Sequence, residues 1–198
     1  MDGMEIGRLL RAGTTGFVVG CSVTQLESPS FGALVRVPLN GNYQIYGIIY
    51  DIHIDDDGLV RQLVTTEAIQ ENVIADNRRN RTIPVEMSVL SVGYRTGGKI
   101  YHLLPPRPAL SLDKIFLCNS SDVQEFTSVG RFGYFRNILG AIDLPVAELI
   151  AAHLRQGNEA HLDAGDADWF HRAMQELIIL LRDDYQTLMG VLSAVSDI

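Results

Sequence analysis

Residues 93–100, Gly-Tyr-Arg-Thr-Gly-Gly-Lys-Ile, come closest to a ready-made site of chemistry in this chain. Gly93, Gly98 and Lys99 stand where a phosphate-binding loop would have them, with only its last position missing. Such a loop needs a strand before it, a hydroxyl after the lysine to hold Mg²⁺, and a helix whose N-terminus faces the phosphates. Val85–Val92 supplies a strand, but Ile100 replaces the hydroxyl, and Pro105 and Pro106 stop any helix soon after it begins. Apolar runs on both sides of Thr96-Gly97-Gly98 predict a β-hairpin whose glycines adopt positive φ. No nucleotide-binding enzyme and no cofactor is expected from this segment.

The other chemistry-bearing groups are no more convergent. Asp51–Gly58 is acidic, but as a calcium loop it would put His53 at the first ligand position and Val64 at the twelfth. His161, Asp163, Asp166, Asp168 and His171 could ligate a metal, yet the acids fall where a helix should begin, a place where carboxylates cap free N–H groups. The Gly-x-Ser-x-Gly nucleophile turn is absent, and Cys21 has no charged neighbour in sequence to activate it. Arg78, Arg79 and Arg81 form the strongest basic cluster, a candidate contact for nucleic acid or an acidic partner and otherwise a solvated turn.

These groups are carried by a chain of 198 residues with 46% hydrophobic and 20% charged side chains and a net charge of −8. That acidity argues against binding a phosphate backbone as the main activity. Cys21 and Cys118, the only cysteines, follow apolar residues and read as buried free thiols. No apolar stretch is long enough for a membrane span or signal peptide, so a cytoplasmic protein is expected.

Two regimes of periodicity position the side chains. Residues 1–118 alternate in short apolar runs at 14–24, 31–39, 43–54, 87–94, 99–104 and 114–118, separated by turn signals such as Asn40-Gly41-Asn42 and Pro105-Pro106-Arg107-Pro108. This pattern predicts a small β-barrel or sandwich. Residues 65–77 interrupt it as a short helix. From 119 to 198 the period is helical, and the fold class is α+β. A helix is expected over 144–156, stopped by Gly157. A long helix of about 30 residues should follow, at ~1.5 Å per residue. On it, Met174, Leu177, Leu181, Tyr185, Leu188, Leu192 and Val195 form a heptad-like apolar seam. The seam is expected to serve self-association, with internal packing as the alternative.

The segments at 6–20, 30–38, 43–52 and 89–126 together resemble the HAS barrel, the small β-barrel domain shared by HerA-type DNA translocases and F-type ATP synthase subunits. The likeness rests on the opening Ile6-Gly7, the strand Gly32-Ala33-Leu34-Val35-Arg36-Val37, the strand ending Tyr50-Asp51-Ile52, and the Gly93-Tyr94 hairpin with its Pro-rich turn. Ile49 departs mildly from the family's valine. In the translocases an ATPase domain follows the barrel, whereas here a helical region without a Walker sequence follows Phe126. The resemblance therefore implies a non-catalytic assembly or adaptor protein. Its partners would be other copies of itself or a P-loop ATPase of the translocase type; no membrane partner is expected, because no apolar span is present. A nucleic-acid-binding barrel in DNA processing is the alternative.

Overall fold

The computed structural model describes residues 3–22, 29–40, 42–54 and 84–196. Seven strands occupy its first part: β1 (Glu5–Ala12), β2 (Gly16–Ser22), β3 (Leu34–Leu39), β4 (Tyr43–Ile54), β5 (Pro84–Thr96), β6 (Lys99–Tyr101) and β7 (Lys114–Leu117). All pairings are antiparallel, and the β2–β5 pairing closes six of the strands into a barrel in the order β1-β2-β5-β4-β3-β7. Along one edge of β5, residues Pro84–Leu90 pair with β2 and Tyr94–Thr96 pair with β6, so the β5–β6 hairpin projects beyond the closed wall.

The barrel is filled. Ile6, Leu9, Phe17, Val19, Val35, Val37, Ile45, Val85, Met87, Val89 and Ile115 point inward and are almost wholly buried. The alternation of a half-exposed strand fails at β4, because both faces of that strand are covered. Ile45 and Ile49 fill the barrel, whereas Tyr46 and Ile48 belong to a second core under the helices. This explains the near-continuous apolar run at 43–52. Leu34, which alternation would place outside, is likewise buried in the second core.

Five helices among the described residues build the covering region: α1 (Ser120–Thr127), α2 (Phe135–Leu139), α3 (Val146–Asp163), α4 (Trp169–Leu180) and α5 (Tyr185–Val195). A reciprocal capping box opens α1, with Asn119 accepting from the Asp122 N–H and Asp122 accepting from the Asn119 N–H. Helix α3 does not stop at Gly157. It runs on to Asp163, and the missing side chain at Gly157 is where the Trp169 ring packs. Among the described residues no helix is long and apolar enough to cross a membrane.

The barrel and helices are joined by specific polar contacts. The buried His153 ring bonds the Gly32 carbonyl through Nδ1 and the Tyr134 hydroxyl through Nε2, each at 3.2 Å. Gln156 Oε1 accepts from the Leu34 N–H at 3.0 Å. Arg36 faces Asp122 at 3.4 Å, and Arg95 pairs with Glu125. Gly32 has φ +83°, and a Cβ there would strike Ala152, so glycine is needed both for the turn and for the approach of α3.

Candidate interaction surface

The expected long C-terminal helix is broken into α4 and α5 by a turn at Leu181–Asp184. The local cause is Asp184, whose carboxylate accepts from the Thr187 N–H at 3.1 Å and the Thr187 hydroxyl at 2.7 Å, starting a new helix. Those same bonds, the side-chain one first, hold the Asp184 carboxyl below its usual range. The global cause is packing. A straight helix of 30 residues would extend about 45 Å, past the end of α3. The break lets both halves lie on α3, and the sequence periodicity passes through it undisturbed.

The break also changes what the seam does. Leu177 and Leu181 are buried, and Met174, Leu188 and Val195 pack against the same helical core. Leu192 is half-buried, and only Tyr185 among the seven stands clear in solvent. The seam expected to bind another copy is thus largely used within the protomer. What remains uncovered lies beside it. Ile178, Ile179 and Leu180 at the end of α4, with Tyr185 and Met189 of α5, are exposed, Tyr185 at 73% and Ile179 at 58%. Arg182 and Asp183 sit at the rim of this corner, paired with each other at 3.1 Å and both well exposed.

The histidine–aspartate group at 161–171 divides. Asp163, Asp168 and His171 are exposed, with His171 bonded to Gln175. His161 and Asp166 converge instead with Thr127 and Arg172. Thr127 Oγ1 lies 2.8 Å from His161 Nε2, and His161 Nδ1 lies 3.3 Å from Asp166 Oδ2. The arrangement looks like a hydroxyl–imidazole–carboxylate relay, but its chemistry runs the other way. The Thr127 hydroxyl also bonds the Val123 carbonyl at 2.8 Å, at the C-terminal, negative end of α1, where an alkoxide would be disfavoured. Asp166 is held by both terminal guanidinium nitrogens of Arg172, which lowers its carboxyl pKa, and His161 Nδ1 makes no hydrogen bond among the described residues. Stacked on Trp169 at 4.7 Å, the imidazole has its pKa lowered by burial. The group ties α1, α3 and α4 together. No single motif announced it, since Thr127 lies 34 residues from its imidazole. Among the described residues no cluster of His, Cys, Asp or Glu could hold a metal ion.

The phosphate-loop look-alike is a hairpin. Thr96 pairs with Lys99 across Gly97 (φ 55°) and Gly98 (φ 78°), and Lys99 opens a strand. Next to it, Tyr94 and Tyr101 stack at 5.2 Å, Tyr43 continues the row, and the Arg107 guanidinium lies 5.0 Å from the Tyr43 ring. Cys21 and Cys118 are free and belong to different cores, and burial raises the pKa of both thiols. Arg78, Arg79 and Arg81, the predicted 65–77 helix, and all of the Asp51–Gly58 loop beyond Ile54 lie outside the described residues.

Comparison with known protein families and with curated proteins finds no match to this chain.

Proposed function

We propose that this chain is a non-catalytic assembly module of the cytoplasm, which pairs with a second copy of itself and docks on a P-loop ATPase of the HerA type. The observation that carries the reading is the exposure of large apolar side chains on both sides of the α4–α5 turn: Ile178, Ile179 and Leu180 before it, Tyr185 and Met189 after it. Exposed apolar clusters of this kind mark contact surfaces on soluble proteins. The rim supports a symmetric pair: Arg182 and Asp183 are adjacent and opposite in charge, so a two-fold axis can exchange them between copies. The filled barrel supports a scaffold role, since its described interior is packed with side chains. The resemblance of the strand half to HAS barrels supplies the ATPase as the partner.

Sedimentation velocity of the purified chain tests pairing. Affinity purification with the corner intact and with Ile179→Asp tests docking, and a P-loop ATPase retained equally by a barrel-disrupted variant would count against it.

A second reading, a nucleic-acid-binding barrel, is favoured by the exposed Tyr101 stacked on half-buried Tyr94, with Lys99 on the same hairpin face and Arg107 nearby over the buried Tyr43 ring. Aromatic rows beside cations stack the bases of single strands. Binding of a fluorescent oligonucleotide with a steep salt slope, lost in Tyr101→Ala, would establish it.

A further inference from the structure

An open cleft of about 800 Å³ lies where the flank of the barrel meets the α2–α3 loop. Its volume falls within the ~300–1,000 Å³ of small-molecule sites, which favour such junctions. The floor is the outer surface of three strands: Gly16 and Val18 of β2, Tyr50 of β4 and Leu90 of β5. The roof is the segment from Arg136 to Leu144, and Ile142 at its tip is 84% exposed.

Three features mark this cleft as a site for an anion attached to an apolar body. First, Arg11 and Arg136 are the only charged side chains among the described residues that line it, in a chain whose net charge is −8. Arg136 is positioned by donating from Nη2 to the His102 carbonyl at 2.6 Å and makes no ion pair among the described residues. Among the described residues Arg11 has only a long contact with Glu86, at 3.7 Å. Second, the remaining polar residues of the lining, Thr15, Tyr50, Ser91 and Asn137, are neutral, so no carboxylate among the described residues lines the cleft to oppose an anion. Third, the lining beside the cations is largely apolar, with Tyr50, Leu90, Leu104 and Leu144 exposed or half-buried. Neither the assembly reading nor the nucleic-acid reading uses any of these residues.

We propose that the cleft binds an anionic amphiphile, its carboxylate or phosphate-ester head against Arg136 and Arg11 and its apolar body along Tyr50 and Leu90. An arginine fork recognises either head in the same way. Acyl carboxylates and alkyl phosphates are thus two sources of one chemistry.

Amide chemical-shift titration of the full chain tests this, with decanoate, decyl phosphate, decanol, decyltrimethylammonium and inorganic phosphate as probes. The two anionic amphiphiles should bind at least tenfold more tightly than decanol or the cation, shifting Ser91, Asn137 and Gly13. Whichever anion binds more tightly identifies the source. Arg136→Gln should weaken both about tenfold, the loss of one charge-assisted hydrogen bond. Because Arg136 also braces the His102 segment, Ile142→Asp provides the second variant. Its position is open to solvent, so the fold should be unchanged while the new carboxylate repels the head. Equal binding of decanol and decanoate, shifts that map away from the cleft, or an Ile142→Asp protein that binds decanoate as well as the wild type would overturn the proposal. So would saturable binding of inorganic phosphate alone at the arginines with no contribution from the alkyl chain.

Discussion

Protonating His153 should pull the helices off the barrel. Its ring is enclosed between α3, the Gly32 turn and Tyr134, and burial lowers its pKa to about 4. The Nδ1 that bonds the Gly32 carbonyl must carry the hydrogen, so Nε2 accepts from the Tyr134 hydroxyl. In the unfolded chain the ring titrates near the ordinary ~6.5. Between those two values the unfolded state binds the extra proton, and stability falls as pH falls. Each pH unit is worth about 1.4 kcal/mol, so the loss reaches roughly 3 kcal/mol at pH 4. For a chain of this size that is on the order of 6–12 °C in Tm. The histidines at 102 and 161 are also lowered by burial, and carboxylates titrate in the same window. The clean quantity is therefore the difference between wild type and His153→Gln, which stays neutral throughout. Urea unfolding followed by Trp169 fluorescence, at intervals from pH 7.5 to 4, gives that difference. It should shrink by about 3 kcal/mol toward acid. Parallel stability curves would refute the reasoning and show that the ring is solvated or already charged in the fold.

The same joint should fail with Gly32→Ala, through a Cβ driven into Ala152 at φ +83°, and denaturant unfolding should show a loss of about 2 kcal/mol or more. Gly157→Ala should displace the Trp169 ring from α3 and lower Tm despite the better helix propensity of alanine, with a change in the near-ultraviolet circular dichroism of the tryptophan. At the β5–β6 turn, Gly97→Asn should leave Tm unchanged, whereas Gly97→Val should cost about 1–2 kcal/mol, because there is space for a side chain but φ is 55°. Arg131→Gly should raise or preserve stability, since Arg131 and Phe132 both hold left-handed conformations at φ 47° and 57° in the turn after α1.

Much of the architecture could be read from local chemistry. The strand runs, the glycine turn at 97–98 and the change from strand to helical periodicity are short-range signals, and the chain follows them: β7 ends at Leu117 and α1 begins at Ser120. Misreadings occurred where a distant partner decides. Gly157 looked like a helix stop because the Trp169 ring that fills its place is remote in sequence. The apolar seam from Met174 to Val195 has the spacing of a coiled coil because α3 demands the same spacing from the helices that pack on it. Asp184 carries a genuine capping signal, yet the continuous seam around it concealed the break between α4 and α5. The exposed corner was hidden for the opposite reason. Ile178, Ile179 and Leu180 are consecutive, so periodicity marks none of them as a face, and only the packing of Leu177 and Leu181 shows which side is left over. The cleft between β2, β5 and the α2–α3 loop combines residues from Arg11 to Leu144, and no sequence window contains it.

Sedimentation velocity across the low- to tens-of-micromolar range is the most direct test of the proposed assembly role, with the wild type run beside an Ile179→Asp, Tyr185→Asp double variant. Both positions are largely exposed, so the variant should keep the wild-type circular dichroism and thermal unfolding. The account predicts a wild type that sediments as a pair and a variant that sediments as a single chain, because two carboxylates would be buried in the apolar contact. A wild type that remains monomeric throughout, or a variant that pairs as well as the wild type, would contradict it.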